Sequence, residues 1–130
     1  MVSIRRHLPA VAFVSFLGWI IFLADTARPS VFFEVVGRIP YGDKLGHLVL
    51  FGTLAWLLNR SLRYRTLSGR PLPLPLGTVL AFLFAAVEEL TQLAFRSRNF
   101  DLTDLAADLA GITLFSLIQW RVRTRQPGLK

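Results

Sequence analysis

The sequence predicts an all-α fold, an integral membrane four-helix bundle with both termini in the cytoplasm. Three observations carry that prediction. Apolar residues make up 53% of the 130-residue chain and charged residues 18%, where soluble domains carry about a quarter charged. Four apolar stretches occur, at residues 8–24, 45–59, 76–95 and 105–120. The basic residues are sorted to one side of those stretches.

The length suits a single domain, residues 1–130. The chain has no cysteine, which excludes disulfide scaffolds, thiolate zinc sites and thiol chemistry. A net charge of +7 would suit a nucleic-acid partner, but that requires a basic face on a soluble fold. So apolar a chain offers none, and no nucleic-acid partner is expected.

The stretch 8–24 is uncharged and follows Arg5 and Arg6, a layout shared with signal peptides. Cleavage needs small residues at −3 and −1, and residues 22–27 present no good pair, so this helix is expected to stay. Pro40-Tyr41-Gly42 closes the first loop before the stretch 45–59, which carries His47 near its start. Pro71, Pro73 and Pro75 cannot lie inside a helix and favour an extended entry to the third stretch. The third stretch contains Glu88 and Glu89, the fourth Asp108. A helix needs about 20 residues to cross a bilayer, which the stretches approach once their flanks are included. A soluble bundle would require broad polar faces, and no stretch has one.

Charge sets the orientation. Arg5 and Arg6, the loop arginines Arg60, Arg63, Arg65 and Arg70, and the tail residues Arg121, Arg123, Arg125 and Lys130 form three segments without an acid. All eight acids lie elsewhere, with five basic residues. The positive-inside rule places the basic segments in the cytoplasm. Residues 25–44 and 96–104 then face outward. The arginines serve as topology determinants, with anionic lipid headgroups as a secondary partner.

Polar residues converge on the outer side. Counted at about 1.5 Å per residue, His47, Glu89 and Asp108 each lie about 20 Å from the inner end of their helix. Asp43, Gln92 and Asp104 form a layer beyond them. Asp43 and His47, Glu89 and Gln92, and Asp104 and Asp108 are spaced to share one stripe of their helices. Ala107, Ala110 and Gly111 are small enough for the fourth helix to pack closely. A charged carboxylate at mid-bilayer costs about 2.5–3.5 kcal/mol, so these groups should face one another. Lys44, Arg96 and Arg98 lie at the same end as partners.

The same residues resemble a known family. Asp43-Lys44-Leu45-Gly46-His47 is similar to the Asp-Lys-x-x-His opening of the VanZ-like membrane proteins. Glu89-Leu90-Thr91-Gln92 matches their Glu-x-x-Gln, and Arg98 to Asp104 their Arg-x-Phe-Asp-x-x-Asp. The family then runs Asp-x-x-x-Asn-x-x-Gly, where this chain reads Asp104 to Gly111 with Asp108 in place of the Asn. The resemblance spans residues 43–111. It implies a multi-pass protein of the bacterial cytoplasmic membrane, with a link to teicoplanin (glycopeptide) resistance and no settled reaction.

Structural roles compete with functional ones. Asp43 suits the N-cap of its helix and Asp101 that of the fourth. Glu89 has the alternative of a buried ion pair with Arg98, and Glu88 that of a pair with Arg96 or a place along the same cavity. Phe32, Phe33 and Tyr41 either cover the site or sit at the interface, and they suit interfacial anchors best. Asp43, Lys44, His47, Glu89, Gln92, Arg98, Asp104 and Asp108 form the expected ligand-binding set, with Glu89, His47 and Asp104 as candidates for catalysis. His47, Glu89, Asp104 and Asp108 have donors for a divalent ion, but their spacing fits hydrogen bonding equally well. No metal or cofactor is expected.

Four functions fit this pattern. One is an outer-leaflet enzyme, with His47 or Glu89 as acid or base and Arg98 and Lys44 holding a phosphate or carboxylate. A second is a binder of a membrane lipid, a lipid-linked cell-wall precursor or a glycopeptide. A third is a small proton-coupled transporter, and a fourth a purely structural charge network. A homodimer would enlarge the small core of four short helices.

Overall fold

A computed structural model of the chain describes residues 2–67, 74–96 and 98–125. Those residues form five helices: α1 (Val2–Asp25), α2 (Val31–Gly37), α3 (Gly42–Ser61), α4 (Leu76–Thr91) and α5 (Leu102–Arg125). A single 3₁₀ turn, Gln92–Ala94, extends α4. No strand occurs among the described residues. Pro71 and Pro73 lie outside those residues, as do Arg70 and Lys130. Pro75 is extended as expected (φ −61°, ψ 133°) and caps α4 from outside.

α1, α4 with its 3₁₀ turn, and α5 supply three stretches long and apolar enough to cross a membrane, Ile4–Asp25, Leu76–Ala94 and Leu102–Arg125. α3 is not among them. Its glycines, His47 and Asn59 lower its hydropathy. The cause is its position: α3 packs against α5 most extensively, then α4 and α1. Its polar side chains therefore meet other helices. The core is Leu17 of α1, Phe51, Leu54 and Ala55 of α3, Ala81 and Ala85 of α4, and Ile112 of α5. Val11, Phe16, Trp19 and Phe22 leave the outer face of α1 apolar and exposed, as lipid contact requires.

Lipid gives helices little hydrophobic reason to associate, so close packing and polar bonds must hold them. Both are present. A Cβ on Gly111 would overlap the Leu48 carbonyl of α3, and one on Gly52 would meet Phe115 and the Gly111 carbonyl. The predicted close approach of the fourth stretch is thus made at Gly111. Toward the end of α3, buried Asn59 donates to Thr78 Oγ1 (2.9 Å) and Gln119 Oε1 (3.2 Å), and its Oδ1 accepts from the Thr78 amide (2.9 Å). Thr78 Oγ1 lies 2.8 Å from Ser116 Oγ, and Gln119 donates to the Trp56 carbonyl (3.0 Å). α3, α4 and α5 are tied at this end without a charge.

Two local expectations change. The first loop contains α2, capped by Ser30, whose hydroxyl accepts from the Phe32 amide (3.2 Å). Asp43 is not the N-cap of α3. Tyr41 holds that position in a left-handed conformation (φ 55°) without a side-chain cap, and Asp43 falls in the first turn. There its charge favours the positive end of the helix dipole. Asp101 does cap α5, accepting from the Thr103 amide (2.8 Å) and hydroxyl (2.7 Å).

Candidate binding site

The N-terminal ends of α3 and α5 and the C-terminal end of α4 bring the predicted polar residues into one bonded network. His47 stands one turn inside α3. Its Nδ1 lies 2.9 Å from Asp108 Oδ1, and its Nε2 lies 3.7 Å from Asp104 Oδ2. The i, i+4 spacing of Asp104 and Asp108 lets both carboxylates reach one imidazole. Asp108 is fully buried, and its Oδ2 has no hydrogen-bond partner among the described residues.

Lys44 clamps the rim. Its ammonium bonds Asp104, Asp101 (2.8 Å) and Asp43 (3.2 Å). Lys44 and Asp101 flank the spans. Burial alone would lower the Lys44 pKa, but the bonds to Asp101, Asp104 and Asp43 outweigh it and hold the ammonium above its usual value. The same Lys44 bond, joined by the Thr103 hydroxyl, holds the Asp101 carboxyl well below the usual carboxylate range. The clamp joins the start of α3 to the start of α5.

On α4, the Gln92 amide donates to both oxygens of Glu88 (3.2 and 3.1 Å) and to Glu89 Oε1 (2.8 Å). The backbone amide of Asp101 also interacts with the Glu89 carboxylate. Arg98 bonds Glu88 Oε1 (3.0 Å) and reaches Asp25 Oδ1 of α1 (3.6 Å). The arginine partner is therefore Glu88, where the alternative reading paired Arg98 with Glu89 and Glu88 with Arg96. Neighbouring helix residues point about 100° apart, and Glu88 is the one that reaches Arg98.

A cavity of about 220 Å³ opens beside this network, between α1, α2 and α3. Leu17, Ile20, Ile21, Leu50 and Phe51 form its apolar wall, with Phe32 and Phe33 of α2 over it. Asp43, His47, Glu88 and Arg98 supply its polar lining. Phe32 and Phe33 therefore cover the site, the alternative to the favoured interfacial anchoring; Tyr41 stays exposed. Glu89, Gln92, Asp104 and Asp108 do not line this cavity but lie behind it. Glu88 does line it, one of the two roles the sequence offered for it. Lys44 and Arg98 are already bonded to internal carboxylates, so neither is an uncommitted anion holder.

A family model described as VanZ/LLP1 matches residues 6–123. The chain belongs to the VanZ/LLP1 family. No curated protein and no solved structure matches it significantly. The family match takes in most of α1 and α5, all of α2, α3 and α4, and the polar network, and the apolar helices mark this VanZ/LLP1 chain as a membrane protein.

Proposed function

We propose that this VanZ/LLP1 protein receives an amphiphile from the outer leaflet of the bacterial cytoplasmic membrane into the cavity between α1, α2 and α3. In this reading α3 is the fourth span, and the arginine-rich ends lie in the cytoplasm. The observation that carries it is the cavity itself, with an apolar wall and an ionisable floor. At about 220 Å³ it is smaller than the ~300–1,000 Å³ of enclosed small-molecule sites. It suits a head group and the first carbons of a chain, with the remainder in lipid. Because Glu88 and Asp43 stand on the floor and Arg98 is already paired, a head group rich in hydroxyl or amine donors fits best. Lipid-linked cell-wall precursors and glycopeptides have such donors, which would connect the site to teicoplanin resistance.

A second reading is enzymatic. The His47–Asp108 pair, with His47 at the cavity wall, has the arrangement of a carboxylate-oriented acid or base. Gly46 tests both. It lines the cavity, and a Cβ there meets nothing within 4 Å. Gly46→Phe should fill the space while leaving every ionisable group and the fold intact. After incubation with a bacterial envelope lipid extract, mass spectrometry should find a lipid retained by wild type and lost from Gly46→Phe at equal melting temperature. A product made only by wild type would establish the enzyme. Equal retention by both proteins would refute the site.

A further inference from the structure

The network described above leaves one place without its positive charge. His47, Glu89 and Asp104 each present one donor atom, and these atoms lie within 4.8 Å of one another. Each residue also has one atom held by a neighbour. His47 Nδ1 is held by Asp108, Asp104 Oδ1 by Lys44, and Glu89 Oε1 by Gln92. The remaining atoms are His47 Nε2, Asp104 Oδ2 and Glu89 Oε2. Glu89 is fully buried, and Oε2 has no hydrogen-bond partner among the described residues. In the tautomer whose Nδ1–H donates to Asp108, Nε2 faces the Asp104 oxygen at 3.7 Å as acceptor against acceptor. That contact calls for a cation between them. The surrounding charge agrees: Asp25, Asp43, Glu88, Glu89, Asp101, Asp104 and Asp108 join the network against Lys44 and Arg98, with His47 neutral in this form.

We propose that His47, Glu89 and Asp104 hold one divalent transition-metal ion, with Asp108 orienting the imidazole from behind. A histidine with two carboxylates selects zinc or manganese over the all-oxygen shells of magnesium and calcium. Three protein ligands leave a coordination position open, as catalytic zinc sites do. A tetrahedral ion with bonds of about 2.0–2.2 Å places ligand atoms roughly 3.3–3.6 Å apart. The set therefore contracts by about an ångström as the ion binds. A carboxylate on the far ring nitrogen is the usual device that fixes the tautomer of a ligating histidine. Asp108 in place of the family Asn gives this chain that carboxylate. His47 also borders the cavity, so the open position would meet whatever the cavity holds, though the metal site stands without that ligand.

The test is Zn²⁺ and Co²⁺ titration of chelator-stripped protein in detergent. One equivalent of Zn²⁺ per chain is expected. Glu89→Gln and Asp104→Asn should weaken it at least tenfold, and Asp108→Asn by about 10–100-fold. Glu34→Gln, an exposed acid on α2, should leave it unchanged. Wild type alone decides the matter if the variants do not fold: Co²⁺ should develop visible bands of nitrogen–oxygen ligation that saturate at one equivalent. No stoichiometric uptake by wild type would overturn the proposal. So would uptake that folded Glu89→Gln and Asp104→Asn retain unchanged.

Discussion

Arg98→Ala should destabilise the protein by about 3–5 kcal/mol, the usual loss when one member of a buried ion pair is removed. Arg98 links the loop before α5 to both Glu88 of α4 and Asp25 of α1. Its side chain is 16% exposed and that of Glu88 5%. Truncation leaves the buried Glu88 carboxylate with only the Gln92 amide as a hydrogen-bond partner among the described residues. The loss should come from that stranded charge more than from the missing attraction. The double variant Arg98→Ala/Glu88→Gln should then recover much of the stability, because no buried charge remains. Thermal unfolding in detergent for the two single variants and the double completes the cycle. Equal loss in the double variant and in Arg98→Ala would show that Glu88 is not the group Arg98 satisfies.

Gly111→Leu should be the most damaging single packing change. The first atom added overlaps the backbone of Leu48, which cannot rotate away as a side chain can. Overpacking typically costs about 1–3 kcal/mol and occasionally more, and backbone against backbone belongs at the upper end. Gly52 stands opposite, already against Phe115, so α3 has no slack to absorb the shift. Asp108 lies one turn from Gly111 on α5, so parting α3 from α5 should also break its 2.9 Å contact with His47. Gly18→Leu is the matched control, since a Cβ on Gly18 meets nothing within 4 Å. The melting temperature should fall steeply for Gly111→Leu and stay near wild type for Gly18→Leu.

Much of the site was legible because helical spacing is rigid. Once Asp104 and Asp108 lie on one helix, four residues apart, they must share a stripe, and a stripe facing α3 meets His47. Asp101 was legible as a cap for a similar local reason. Depth arithmetic could not separate Glu88 from Glu89. One residue changes the height by about 1.5 Å but turns the side chain to another face, and the face depends on how α4 rotates in the bundle. The commitment of Lys44 and Arg98 to internal acids was hidden likewise, because partner choice follows loop geometry. α2 was missed inside a loop, although Ser30 directly after Pro29 is a helix-start signal. The network of Asn59, Thr78, Ser116 and Gln119 escaped notice because its members are uncharged and scattered over three helices. Hydropathy hardly registers one such residue per span, yet together they tie three helices at one end.

The proposal that the cavity and its ionisable floor open to the outer leaflet is tested most directly by thiol accessibility. The chain has no cysteine, so single introduced thiols report without background. Val35→Cys places one on the exposed face of α2, beside the cavity, and Thr124→Cys one near the end of α5. With a membrane-impermeant maleimide on spheroplasts, Val35→Cys should label at once and Thr124→Cys only after the membrane is opened. Labelling of Thr124→Cys with protection of Val35→Cys would place the polar site at the cytoplasmic leaflet and contradict the proposed orientation.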